Sequence, residues 1–381
     1  MASYPTTPQQ TLDPAALRAA FDAVSPLTLG IEEEAMLVDA GSLALLPRAP
    51  EVIGRLDGDP RFALELPASQ LEIILPPVAA VAEAASALAA ARRDLAHAAE
   101  GIGRLAAAGA HPLWPPTGAL NAGEGRAAFA AEYGVVAELQ TVCALQVHVA
   151  VGGHERTLAV YNALRSHLPE LAALAANAPY YAGRDTGLAS VRPKVCDLLP
   201  RQGVPPAIST WDEYAAAHRW GSAAGVLPEP GRWWWELRPH PEHGTLELRV
   251  PDAQATVADA AALAAVVHAL VGWLSARHDA GDLPAPVATW RIEENRWHAC
   301  RHGLDAELAD LATGDRVPVR ELLASRLDAL APTAALLGCT GELEDARRLL
   351  ASNGAERQRA VGSPEAALRA LVDAYLPEPA R

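Results

Sequence analysis

The sequence predicts a mixed fold of strands and helices that ends in a helical region. Three observations predict it. Strand-like stretches recur at 28–39, 62–67, 70–75, 139–151, 232–238 and 245–250. Alanine-rich helical stretches separate them, notably 79–108 and 257–280. From 304 to 376 the chain reads as mostly helical, punctuated by a few Gly and Pro turns.

The elements follow in order. Residues 1–11 are polar and proline-spaced, the pattern of a disordered lead-in. Asp13 and Pro14 supply the N-cap and N1 residue of a short helix over 15–23. The strand at 28–39 begins just after Pro26. Alternation puts Glu32 and Glu34 on one face and Ile31, Glu33 and Ala35 on the other. A turn at 39–42 and a loop at 54–60 lead to strands 62–67 and 70–75, where Gln70, Glu72 and Ile74 share a face. Residues 79–108 read as one helix, with Leu88, Leu95, Ile102 and Leu105 at roughly heptad spacing. A strand end at 109–114 and a short helix ending near Tyr133 precede the longest strand signal, 139–151. There Gln140, Val142, Ala144, Gln146, His148 and Ala150 share one face. After a helix at 155–176, the Gly-, Pro- and Arg-rich segment 180–210 reads as a substrate lid or a structural loop. A helix at 211–224, two strands joined hairpin-fashion, and helices 257–280 and 290–302 follow. No repeat or low-complexity linker marks a boundary, so 12–376 is expected to form a single domain with 304–376 as its helical C-terminal part.

Half of the 381 residues are hydrophobic, enough for a large core. A net charge of −15 argues against broad binding to nucleic acid or anionic membranes. The first residues have neither a basic nor an apolar region, and no run of 18 or more apolar residues escapes polar interruption. Neither a signal peptide nor a membrane span is therefore expected. Cys143, Cys196, Cys300 and Cys339 are scattered without CxxC spacing, as in a cytoplasmic protein with reduced thiols.

The chemistry lies in acids placed on strand patterns far apart: Glu32, Glu34, Glu65, Glu72 and Glu247. Carboxylates gathered on an inner face need a cation or a shared proton. The plainer alternative for Glu32–Glu34 is a solvated edge strand. With His148, the acids offer ligands for two or three divalent cations of the Mg²⁺ or Mn²⁺ kind. Thr245, Glu247 and Arg249 share a face, an alternation that suits a phosphate held by both metal and guanidinium. Arg184, Arg192 and Arg238 could add to that clamp; Arg238 and Arg249 could also be structural ion-pair partners. No Walker A motif and no GxGxxG after a strand is present. The run 233–235 of three tryptophans reads as packing or a pocket wall. His298 and His302 have helical i, i+4 spacing but lack the HExxH glutamate, which favours an ordinary helix face.

These residues lie in stretches that resemble one family. The pieces are Leu-Gly-Ile-Glu-Glu-Glu (29–34), Glu-Leu-Pro-Ala-Ser-Gln-Leu-Glu (65–72), Val-His-Val (147–149) and Ala-Asn-Ala-Pro through Ser-Val-Arg (176–192). Leu-Pro-Arg-Gln-Gly-Val-Pro-Pro (199–206), Glu-Leu-Arg-Pro through Val-Pro-Asp (236–252) and Glu-Asn-Arg-Trp (294–297) complete them. In that order, over about residues 27–303, the chain resembles the carboxylate–amine ligase family, also called glutamate–cysteine ligase type 2. The resemblance implies an α+β fold of glutamine-synthetase type: a curved antiparallel sheet, helices on its outer face, and a concave face that holds ATP and metals. It also implies ATP-dependent joining of a carboxylate to an amine. One stretch departs: the family usually shows His-Val-His-Val-Gly where this chain has Gln146, His148 and Ala150.

Residues and resemblance together assign Glu32, Glu34, Glu72, His148 and Glu247 to Mg²⁺ or Mn²⁺. They assign Glu72, Thr245, Glu247 and Arg249 to ATP, and Arg249, Arg238 and Arg192 to catalysis. The carboxylate would be activated as an acyl-phosphate and attacked by the amine, with glutamate and cysteine as the default pair. A homo-oligomer is compatible with the sequence. The alternatives are a specialised amide ligase for other substrates, a phosphotransferase of the same fold group, and a nucleotide-binding relative without turnover.

Overall fold

The strands, in chain order, are β1 (Leu29–Val38), β2 (Phe62–Leu64), β3 (Gln70–Ile74), β4 (Arg104–Ala106), β5 (Leu145–Ala150), β6 (Tyr180–Tyr181), β7 (Arg184–Asp185), β8 (Leu237–His240), β9 (Thr245–Leu248), β10 (Glu307–Ala309) and β11 (Arg316–Pro318). The computed structural model describes residues 13–113, 117–226 and 232–376. The expected lead-in at 1–11, and Trp114 in the expected strand end, lie outside them.

The main sheet is antiparallel and open, in the order β2-β3-β1-β5-β9-β8, with β4 also paired to β1. β1 is thus an inner strand, not a solvated edge. One edge of it pairs with β3 through Glu32–Met36. The other pairs with β5 through Leu29–Glu33 and with β4 through Met36–Val38. Alternation separates its acids as expected. Glu33 points away from Glu32 and Glu34 into the helical layer, where Arg92 of the helix Val81–Ala99 grips it at 2.6 and 2.7 Å. Both side chains are fully buried. Arg92 also donates to the carbonyls of Gln254, Ala255 and Tyr375, and its guanidinium lies 4.5 Å from the Tyr375 ring centroid.

The helix Val257–Asp279 is the hub of the helical layer. It packs on β5, on the helices Val81–Ala99 and His154–Leu164, and on Val319–Leu336 and Thr340–Ala351 of the C-terminal part. It is apolar on every side, which suits a helix surrounded by other elements. Among the described residues it is the one helix long and apolar enough to cross a membrane, yet 78% of its most apolar window is buried within the protein. One continuous apolar core takes in residues from Leu17 to Tyr375.

Several boundaries differ from the sequence reading. The helix expected over 79–108 stops at Ala99. Gly101 follows with φ 71°, a conformation that suits glycine, and the chain turns into β4. The strand expected over 139–151 is continuous only over Leu145–Ala150, with isolated bridges at Val142 and Ala144 before it, because β4 rather than β5 lies along the far end of β1. The strand expected at 232–238 begins at Leu237, the one at 62–67 ends at Leu64, and 109–113 holds only an isolated bridge between Ala110 and Val142. The segment 180–210 contains the β6–β7 hairpin and a short helix, Arg192–Cys196. The N-terminal helix, Pro14–Asp22, is capped by Asp13 as expected.

Candidate active site

Antiparallel register lines up the polar residues in rows across the sheet face opposite the helices. Glu34 faces Glu72, Glu32 faces Gln146, and His148 faces both Gly30 and Glu247. Arg238 faces Glu247 from the far side. Directly opposed residues share a face, so the sheet itself gathers these groups.

One end of the face is acidic. Carboxylate oxygens of Glu34, Glu65 and Glu72 all lie within 4.8 Å of one another, and all three residues are buried. Glu65 stands just past β2, in a loop fastened by Asn121, whose Nδ2 donates to the carbonyls of Glu65 and Pro67. The Glu34 carboxylate accepts from the Ala144 amide at 2.8 Å and from Gln146 Nε2 at 3.1 Å. Burial, and then the charge of Glu65, push the Glu34 carboxyl up to about 7. Burial pushes Glu72 well above the usual carboxylate range, and the charges of Glu65, Glu32 and Glu34 push the same way. Three crowded carboxylates of this kind are poor company for one another and good company for a hard cation. The donor set fits Mg²⁺ or Mn²⁺ by chemistry, all of it carboxylate oxygen.

The other end mixes acid, imidazole and guanidinium. Nδ1 of His148 lies 3.0 Å from Thr245 Oγ1. Its Nε2 is 3.4 Å from Glu32 Oε1 but is aligned in a hydrogen bond with no described residue. Burial would raise the Glu32 carboxyl, but the neighbouring His148 and the charge of Arg249 together hold it below its ordinary value. Glu247 is fully buried between two arginines. Arg238 reaches it through Nε and Nη2, and Arg249 through Nη1. Burial opposes ionisation of Glu247, but Arg238 and then Arg249 hold its carboxyl well below the usual range. Arg249 Nη1 also donates to Gln146 Oε1.

The structure therefore brings together Glu32, Glu34, Glu72, His148, Thr245, Glu247, Arg238 and Arg249, and adds Glu65 to the narrower set assigned to metal. The Glu247 carboxylate is already engaged by two guanidiniums. Arg192 is set apart. Its Nε donates to Asp252 at 2.8 Å and its Nη2 to the carbonyls of Arg249 and Val250. It thus braces the backbone that carries Arg249. Arg184 sits on the exposed β7 hairpin.

Asp252 is a junction that sequence reasoning missed. It accepts from the Asn177 amide at 2.7 Å, from Ser190 Oγ at 3.0 Å and from Arg192. Gly109 leaves it room, since a Cβ there would stand 2.5 Å from the Asp252 carboxyl carbon. The signal was present: Asn177, Ser190, Arg192 and Asp252 all lie within the family-like stretches 176–192 and 236–252. Those stretches bind each other, which places the segment 180–210 against the sheet. The stretch 294–297 is also structural in its contacts, with Arg296 buried among Glu236, Asp197 and Glu293.

The chain is similar to known proteins. The family described as Glutamate-cysteine ligase family 2 (GCS2) matches residues 28–372. A Rubrobacter xylanophilus relative, provisionally named glutamate–cysteine ligase 2-3, is 42% identical over 364 residues, covering 94% of this chain and 98% of that one. The glutamate–cysteine ligase of Natronomonas pharaonis is 36% identical over 353 residues, covering 88% and 94%. Among solved structures, the glutamate–cysteine ligase of Francisella tularensis in complex with AMP superposes with a TM-score of 0.70 at 13% identity, over 91% of this chain and 88% of that one. A bifunctional glutathione synthetase from Pasteurella multocida gives 0.67 at 14% identity, over 95% of this chain and 54% of that one. The two structures establish likeness of fold; the match over 28–372 and the identity to full-length relatives establish more, and the chain belongs to glutamate–cysteine ligase family 2.

Proposed function

We propose that this ATP-dependent ligase of the glutamate–cysteine ligase type phosphorylates a small-molecule carboxylate and joins it to an amine. Glutamate and cysteine are the default pair. Carboxylate is a poor electrophile in water, and transfer of the γ-phosphoryl group to it creates an acyl-phosphate that an amine can attack. The observation that carries the reading is the pairing, on one sheet face, of a buried three-carboxylate cluster with a guanidinium pair around Glu247. Divalent cations held by Glu34, Glu65 and Glu72, and by Glu32, His148 and Glu247, would offset phosphate charge. Thr245 orients His148 through its hydroxyl. Arg249 and Arg238 would bind the transferring phosphoryl group, with a planar fork suited to it. Arg192 acts from behind by bracing the Arg249 carbonyl.

The test is an ADP-release screen of acids crossed with amines, in Mg²⁺ and in Mn²⁺, using acid labelled in its carboxylate oxygens. The expected result is amine-dependent ADP release with label appearing in the released phosphate. Label that never reaches phosphate rules out the acyl-phosphate route. Gln146, in place of the family's usual histidine, favours a second reading in which the preferred pair is not glutamate and cysteine; the same screen reads it directly.

A further inference from the structure

We propose that Gln146 is a positioning residue: its amide, fixed by Glu34, presents the Arg249 guanidinium to the phosphoryl group. The inference rests on the ligase reading above. Gln146 lies on β5, is 2% exposed, and stands directly across from Glu32 on β1. Its Nε2 donates to Glu34 Oε1 at 3.1 Å, and its Oε1 accepts from Arg249 Nη1.

Those partners leave the amide one orientation. Reversed, it would set oxygen against carboxylate oxygen and N–H against guanidinium N–H. Glu34 is itself held by the Ala144 amide at 2.8 Å. A continuous chain therefore runs from the Ala144 backbone through Glu34 and Gln146 to Arg249. At its far end, Arg249 spends Nη1 on Gln146 and Glu247, while its Nε and Nη2 make no hydrogen bond among the described residues. That edge is the two-donor fork that takes two oxygens of a phosphoryl group. A neutral amide suits the place, because it satisfies an anion on one side and a cation on the other. A carboxylate would face Glu34 with like charge, and an aliphatic side chain would hold neither partner.

The test has two arms. In the first, ADP release is compared for wild type, Gln146→Leu and Gln146→His at about pH 8, where a neutral imidazole donates from one ring nitrogen and accepts at the other. Gln146→Leu is expected to lose about tenfold or more in kcat with KM for MgATP within about threefold, the pattern of a lost transition-state interaction. Gln146→His is expected to recover to within about threefold of wild type, since it rebuilds both contacts. In the second arm, urea midpoints of the metal-free protein are measured for Gln146→Leu, Arg249→Met and the double variant. Non-additive shifts are expected, as for residues in contact. Should Gln146→Leu not fold, Gln146→Met, similar in length, takes its place. Wild-type kcat in Gln146→Leu, no recovery in Gln146→His, or additive midpoints overturns the proposal. A wild type that releases no ADP with any substrate counts against the ligase reading alone, and the midpoints still decide the contact.

Discussion

At the scale of residues, Glu34 links the buried acidic cluster to pH. Its carboxyl, ordinarily near 4.5, rises to about 7 in the folded protein, so the folded state binds the extra proton. A raised value stabilises fully below the unfolded pKa, and the contribution is lost as pH climbs through the folded one. In metal-free protein this loss amounts to on the order of 3 kcal/mol. Burial lowers His111 and His218 to about 4 and His240 to about 3, from an ordinary 6.5, and these pull the opposite way. The readout is therefore a difference: urea stability of Glu34→Gln relative to wild type, in chelator, should rise as pH goes from about 4.5 to about 7. A difference that stays flat over that window contradicts the assignment. Arg249→Lys keeps the charge and loses the planar fork. It should fold normally, bind MgATP within about tenfold, and lose on the order of 10²-fold in turnover, measured by ADP release and calorimetry.

At the scale of elements, β1 is held from behind by the Arg92–Glu33 pair. Replacing Arg92 by Leu leaves a buried carboxylate without its partner and should cost about 3–5 kcal/mol in urea unfolding. Glu33→Leu added to Arg92→Leu should return part of that loss, because no charge is then stranded. The β6–β7 hairpin is fastened differently, by Asp185 to Arg359 at 2.7 and 2.9 Å on a half-exposed surface. Asp185→Ala should speed hydrogen exchange over 180–188 while moving global stability by less than about 1 kcal/mol. Exchange at 190–196 should stay slow in that variant, since Asp252 pins Ser190 and Arg192. Legibility follows the same divide. Period-two alternation is enough to separate Glu33 from Glu32 and Glu34, because face parity is local. The partner of Glu33 is not legible, since Arg92 lies 59 residues away on an alanine-rich helix where an arginine reads as solvated. β4 is hidden by its own composition: Leu105 and Ala106–Ala108 continue a helical pattern, and three residues are too few to show a strand period. Gln146 stands out in the sequence as a departure, but its bridge to Glu34 and Arg249 needs the register of three strands.

At the scale of the whole molecule, a net charge of −15 makes cation dependence a global matter as well as a local one. Calorimetry should detect ATP binding with Mg²⁺ or Mn²⁺ and lose it in excess EDTA; unchanged affinity in EDTA would contradict the cation reading of the acidic cluster. The sheet and the helical C-terminal part depend on each other through Arg92. That residue reaches the Tyr375 carbonyl and ring, at the end of the helix Pro364–Tyr375, which packs on β4. Synthesis on the ribosome runs from the N-terminus. Every strand of the main sheet is translated before Tyr375, so a nascent chain can pair its strands while the back of β1 still lacks its cover. The acids on the front of β1 then receive their final support from a helix translated long after them. A fully braced sheet is therefore not available until Tyr375 has been translated, after every strand that forms it.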